Sequence, residues 1–142
     1  DAAVIGQGRD MLTAIVCVDF QAVGQWAQEH GVAYTSYAEL SQQPQIYGLI
    51  AGQLAEVNAH LPHGLSVARF VNLHKEFDPD DGEVTRTRKL KRNVIDDRYG
   101  PIIEAMNAGQ EQIDFRAQIT YENGQTGTLD RVLRLSDVKG AA

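Results

Sequence analysis

Apolar and polar positions along the chain fall into blocks whose period switches between two and about 3.6, and the switches mark the elements. Residues 2–5 and 11–20 read as two β segments joined by Gly6-Gln7-Gly8-Arg9-Asp10, where the glycines supply turn conformations that other residues resist. Leu12, Ile15, Val16 and Val18 are dense enough for a strand covered on both faces. From Ala22 to His30, Val23, Trp26 and Ala27 recur at helical spacing, and Gly31 stands where a helix C-cap belongs. Ser36 and Glu39 have capping-box spacing, which predicts a short helix starting after Ser36. Pro44 precedes the clearest helix, with Ile46, Leu49, Ile50, Leu54, Val57 and Leu61 as its apolar stripe and Pro62 and Gly64 as its stop.

Leu65, Val67, Arg69, Val71 and Leu73 then alternate with Ser66, Ala68, Phe70, Asn72 and His74, a strand pattern. Asp78-Pro79-Asp80-Asp81-Gly82 is a turn signal. Val94, Ile95, Tyr99, Ile102, Ile103 and Met106 form another helical stripe, and Pro101 within it predicts a kink or a restart. Near the end, Phe115 to Tyr121 and Thr126 to Leu135 flank Glu122-Asn123-Gly124-Gln125, a hairpin signal. No repeat or low-complexity stretch intervenes. The expected fold is α+β, a small mixed or antiparallel sheet flanked by helices, with a C-terminal β-hairpin.

Composition changes this picture little. A chain of 142 residues with 43% apolar and 23% charged residues has the balance of one globular domain, which excludes a disordered segment. The longest apolar run, Leu12 to Val18, is far too short to cross a bilayer. The single Cys17 lies in that run and has no internal disulfide partner, so it reads as a buried core thiol in a reducing, intracellular setting. The opening Asp1-Ala2-Ala3-Val4-Ile5 reads as a chain cut just before or within a strand, so a fragment of a longer protein is expected.

Charge is more informative, because it is unevenly spread. The net charge is −6, of which Arg86, Arg88, Lys89, Lys91 and Arg92 contribute +5, leaving −11 on the remainder. A short cationic segment on an acidic body suits one small anion better than nucleic acid, and no aromatic residue interleaves the run. No nucleic-acid partner is therefore expected. His30, His60, His63 and His74 share no metal-ligand spacing, and no metal site is expected on this chain. Asp78, Asp80 and Asp81 lack the glutamate of a calcium loop, and no nucleophile-elbow or glycine-rich phosphate loop occurs. The basic run lies between a turn and a helix, where Lys and Arg could meet phosphate oxygens and where Thr85 and Thr87 add hydroxyls. Charge alone leaves open a solvated basic patch, a localisation signal or a module that docks an acidic partner.

The order of residues goes further. Phe77-Asp78-Pro79-Asp80-Asp81-Gly82-Glu83-Val84-Thr85-Arg86-Thr87-Arg88-Lys89-Leu90-Lys91-Arg92, followed by Val94-Ile95 and Tyr99, resembles the C-terminal motif of bacterial long-chain acyl-CoA synthetases, in the AMP-forming adenylating superfamily. The family pattern is Gly-Glu, an aliphatic residue, Thr-Pro-Thr, then Lys, an aliphatic residue and a basic pair. Ala3-Val4-Ile5-Gly6, Leu12-Thr13-Ala14, Asn58 and Leu61 fall in the family's order, so the resemblance covers residues 1–108. Arg86 stands where proline is usual, and Asn93 where a further basic residue is common.

The resemblance implies a fatty acid–CoA ligase that uses ATP to form an acyl-AMP and passes the acyl group to coenzyme A. Residues 1–108 would be its mobile lid domain, without its first segment, and 109–142 a β-hairpin appendage. Lys89 matches the adenylation lysine. Thr85, Thr87, Lys91 and Arg92 around it, and Gly6, Gly8 and Arg9 in the first turn, are the candidate contacts to ATP/AMP and CoA. Mg²⁺ would be held by an N-terminal adenylation domain, which is also the expected partner. The fragment alone is expected to be inactive. The setting implied is cytoplasmic, with any peripheral membrane contact made through that missing domain. An adenylating enzyme for another carboxylic acid, or a non-catalytic binding module, remains the alternative.

Overall fold

The computed structural model describes residues 2–6, 11–62, 66–79, 82–120 and 125–138, with the side chains of 117–120, 126 and 128–130 left aside. A five-stranded sheet in the order β1-β2-β3-β5-β4 is built from β1 (Ala2–Ile5), β2 (Leu12–Val16), β3 (Val67–Asn72), β4 (Gln112–Thr120) and β5 (Thr126–Asp137). β2 and β3 run parallel, and every other neighbouring pair is antiparallel. Helices α1 (Phe20–Glu29), α2 (Tyr37–Ser41) and α3 (Pro44–Ala59) make the crossover from β2 to β3 that parallel pairing requires. Helices α4 (Arg92–Arg98) and α5 (Gly100–Asn107) lie between β3 and β4. The mixed sheet, flanking helices and terminal hairpin are those expected.

Two apolar clusters cover the sheet. Ile15, Cys17, Val71 and Leu73 pack with Ile95, Tyr99, Ile102 and Met106 of α4 and α5. Ala14, Val16 and Phe70 pack with Val23, Leu40, Ile46 and Ile50 of α1–α3. Consecutive residues of β2 thus serve opposite cores, the physical reason for its dense apolar run. β1, at the edge, shows the exposed–buried alternation of a half-covered strand.

The alternation read for residues 65–73 breaks once. Leu12 pairs with Val67 but Thr13 pairs with Arg69, so Ala68 is an extra residue and the strand's parity flips there. Val67 and Phe70 accordingly share one core while Val71 and Leu73 enter the other. Asn58 at the end of α3 mimics a neighbouring strand, its Oδ1 accepting from Val67 N at 2.8 Å and its Nδ2 donating to Val67 O at 2.9 Å. Turning Asn58 inward rotates α3, so Ile46, Tyr47, Ile50 and Ala51 face the core while Val57 and Leu61 are exposed.

The helix boundaries follow their caps. Ser36 Oγ accepts from Glu39 N at 3.1 Å, the first half of the expected capping box. α1 starts earlier than its apolar spacing indicated, because Asp19 accepts from Gln21 N and Ala22 N at 3.1 Å each. α4 ends at Arg98, and α5 restarts with Pro101 in its first turn, where a missing N–H costs nothing. The hairpin is fastened to the sheet. Arg69, 7% exposed, donates to Asp137 Oδ1 at 2.9 Å and to Met106 O at 2.8 Å at the end of α5.

Candidate functional site

The basic segment forms a small hairpin of its own. Gly82, at φ 76°, closes the preceding turn, with Gly82 N donating to Pro79 O and Glu83 N to Asp78 O. Val84, 1% exposed and set in the α4/α5 core, bridges antiparallel to Leu90. Arg88 N donates to Thr85 O at 2.9 Å, which makes 85–88 a β-turn. Thr87 does not have a positive φ, so the turn is type I, and Arg88 follows it in the left-handed region at φ 67°. That sequence of conformations is the three-residue hairpin loop with a bulge.

Lys89 is held by its backbone and free at its side chain. Its carbonyl accepts from Thr85 N at 2.8 Å, and its N–H donates to Thr85 Oγ1 at 3.0 Å. The ammonium is exposed and makes no hydrogen bond or ion pair among the described residues. Thr85 Oγ1 also lies 3.1 Å from Thr87 Oγ1, so both hydroxyls support the loop. Lys91, exposed, donates its N–H to Glu83 O at 2.9 Å and stands at the N-cap of α4. Arg92 Nη1 donates to Val4 O at 2.7 Å, joining the loop to edge strand β1.

That bond is also the link to the other group of candidates. Gly6 follows β1, and a Cβ there would meet the Cδ2 methyl of Leu12, which would have to move aside. Gly8 and Arg9 lie outside the described residues. The structure therefore brings Thr85, Thr87, Lys89 and Lys91 together in one cationic loop with Arg92 at the start of α4, and Arg92 ties it to β1, which Gly6 follows.

Sequence reasoning quoted Glu83 in the motif but gave it no role, and it is the anchor of the loop. Its side chain is 0% exposed. Oε1 accepts from Lys75 Nζ and from Asp78 N, and Oε2 accepts from Arg98 Nη1 and Tyr99 O–H. Burial and this carboxylate push the Tyr99 phenol well above its ordinary range, so it stays a donor. The Gly-Glu pair was the visible signal. Tyr99 stood in the same motif without a stated role, and the distant partner Arg98 had no signal.

An open cleft of about 630 Å³ lies beside the loop, walled by Phe20, Tyr37, His74, Lys75, Phe77 and Arg88. Phe20 stacks on Tyr37 with centroids 5.8 Å apart. His74 is buried, and desolvation, then the nearby Lys75 and Arg131 charges, lower it to about 4, so it is neutral near pH 7. Cys17 is buried as expected, and desolvation pushes its thiol up to about 12, which makes it unreactive. Among the described residues no group of three or more His, Cys, Asp or Glu could hold a metal ion, and no helix is long and apolar enough to cross a membrane.

Comparison with known proteins points to one class. Over 106 residues, 74% of its length, the chain is 29% identical to the long-chain-fatty-acid–CoA ligases FadD15 of Mycobacterium tuberculosis and Mycobacterium bovis. It is 35% identical over 106 residues, 75% of its length, to the putative fatty-acid–CoA ligase fadD11 of M. tuberculosis. The motif's resemblance to fatty-acid–CoA ligases is thus found again across three quarters of the chain, which spans 18% of the length of these relatives. No protein-family model and no solved structure matches.

Proposed function

We propose that this chain is the C-terminal lid of an AMP-forming fatty-acid–CoA ligase and that Lys89 is its adenylation lysine. The observation that carries the reading is the loop at 83–91, which clamps Lys89 by both backbone groups and leaves its ammonium exposed, in a chain similar to such ligases. A long-chain acid is proposed as the substrate, after the name that FadD15 carries.

Two anions must meet in the first step. A carboxylate oxygen of the acid bonds to the α-phosphorus of ATP, the bond to the oxygen bridging to the β-phosphate breaks, and pyrophosphate leaves. The Lys89 ammonium lies between the reacting groups and offsets the charge that gathers there. In the second step the coenzyme A sulfur bonds to the acyl carbon, AMP leaves with the electron pair of the broken acyl–oxygen bond, and the thiol proton is released. The lid rotates between the steps, withdrawing Lys89 and presenting the candidate contacts Gly6, Gly8 and Arg9 to coenzyme A. Thr85 and Thr87 hold the loop near the phosphates, and Lys91 and Arg92 add positive charge. Residues 1–108 form the lid and the hairpin extends it. Mg²⁺, which neutralises the ATP phosphates, has no ligand set among the described residues and is assigned to the adenylation domain.

Lys89→Ala in the full-length protein tests the reading. Acyl-adenylate formation, followed by pyrophosphate exchange, is expected to fall by on the order of a hundredfold or more. Transfer of the acyl group from supplied acyl-adenylate to coenzyme A should be retained. Unchanged pyrophosphate exchange would remove Lys89 from the chemistry.

A further inference from the structure

We infer that Glu83 is the positioning residue for Lys89: its buried carboxylate, gripped by Lys75, Asp78 N–H, Arg98 and Tyr99, sets where the lysine loop stands. The inference rests on the assignment of Lys89 above and adds to it the group that makes the lysine's position reproducible.

A carboxylate is a costly thing to bury. Without partners it would not remain charged, and even when paired it is often no more stabilising than an apolar residue of similar volume. What a carboxylate supplies that an apolar side chain does not is direction. Glu83 receives donors from three separate places: Lys75 after β3, the turn at Asp78, and Arg98 with Tyr99 at the junction of α4 and α5. Its own backbone closes the loop, with Glu83 N donating to Asp78 O at 3.2 Å and Lys91 N donating to Glu83 O at 2.9 Å.

Above that base the hairpin has little freedom. Val84 is buried and bridged to Leu90, and Thr85 holds the backbone of Lys89. The turn between them is exposed at Arg86, Thr87 and Arg88. The orientation of Lys89 relative to α4 is therefore fixed at Glu83, below the loop, and not at its tip. Replacing the carboxylate with an amide keeps the shape but turns an N–H₂ either towards Lys75 and the Asp78 N–H or towards Arg98, which can only donate. The base opens, and the ammonium loses its place while keeping its charge.

The test uses four forms of the full-length protein: unaltered, Lys89→Ala, Glu83→Gln and the double variant. Each is assayed for kcat and KM in acyl-adenylate formation, for thioester formation from supplied acyl-adenylate, and for its thermal midpoint. Glu83→Gln is expected to lower kcat for adenylation by about 10- to 100-fold, the scale of a misplaced catalytic group. KM for ATP and the thioester half-reaction should stay within about twofold, and Glu83→Gln should add no loss to Lys89→Ala. A role confined to stability would lower both half-reactions together, in step with the folded fraction. That result, no loss at all, or a double variant well below Lys89→Ala, overturns the inference. Normal adenylation by Lys89→Ala is a different outcome and overturns the assignment of Lys89 itself. If Glu83→Gln does not fold, Tyr99→Phe carries the test: it removes one donor, leaves the carboxylate paired, and should give a smaller loss in the same half-reaction alone.

Discussion

His74 shows what one buried side chain imposes on the protein. It packs against the Phe115 ring at 6.0 Å, its Nδ1 has no hydrogen-bond partner among the described residues, and it is 9% exposed. Desolvation first, then Lys75 and Arg131, holds its folded pKa near 4 against an ordinary 6.5, with Glu83 opposing the shift. The unfolded chain therefore binds the proton more readily. The stability that neutral His74 contributes is fully present above about pH 6.5 and is lost as pH falls towards about 4. The gap corresponds to roughly 3 kcal/mol, a large share of the net stability of a domain. Denaturant midpoints measured between these pH values should fall, and His74→Gln should flatten the curve in that window. A variant as acid-sensitive as the parent would place the titration elsewhere. Arg88 is a second residue whose backbone decides its effect. At φ 67° an L side chain costs roughly 1 kcal/mol, so Arg88→Gly should be more stable than Arg88→Ala by about that amount. Comparing the two variants removes the guanidinium and its bond to Phe77 O from the balance, and equal thermal midpoints would refute the strain.

The same loop carries a prediction as an element. Arg86 occupies the second position of a type I turn, where proline's fixed φ fits, and its N–H makes no hydrogen bond among the described residues. Thr85 before it is in the paired arm of the hairpin, a conformation compatible with a following proline. Arg86→Pro should thus stabilise the chain by about 0.4–1 kcal/mol, read as a higher thermal midpoint, by restricting the unfolded state. A lower midpoint would mean that the turn is not the one described. This also shows where the sequence was legible. Local signals such as Ser36 with Glu39, Pro44, Pro101 and the dense apolar run of residues 12–18 placed their elements, because the information lies within one turn or one short segment. The extra residue at Ala68, the inward Asn58 and the Asp19 cap escaped notice, because each is chosen by a neighbour that the pattern does not contain. For the site, the order Gly-Glu-Val-Thr-Arg-Thr-Arg-Lys is what makes Lys89 the candidate proposed above. The burial of Glu83 was not readable, because Arg98 and Tyr99 reach it only once α4 has packed.

At the scale of the whole molecule, the sheet is continuous from the edge strand through the hairpin. β5 pairs with β3 through Arg69–Asp137, Phe70–Ser136 and Val71–Leu135. Phe115, Leu133 and Leu135 fill the core that holds Tyr99 and Ile102, while Val138 joins the opposite core. Polar bonds repeat the connection: Tyr47 O–H donates to Arg134 O, Arg134 N donates to Gln42 Oε1 at 3.2 Å, and Arg69 reaches Asp137. A chain ended at Ala108 would uncover one edge of β3 and remove, among the described residues, the four buried apolar side chains Phe115, Leu133, Leu135 and Val138. Each contributes roughly 1.5–3 kcal/mol, so their sum is comparable with the 5–15 kcal/mol that separates a folded domain from its unfolded state. The exposed edge of β3 would also be free to pair with another chain. Residues 1–108 alone should therefore lack a cooperative denaturant transition and associate at micromolar concentration, whereas 1–142 should unfold in one step. A shortened chain that unfolds cooperatively, with a denaturant slope reduced only in proportion to its smaller buried surface, would show that residues 1–108 fold without the hairpin. The Glu83 network would then be complete within residues 75–99, and the hairpin would be dispensable for the fold that holds it.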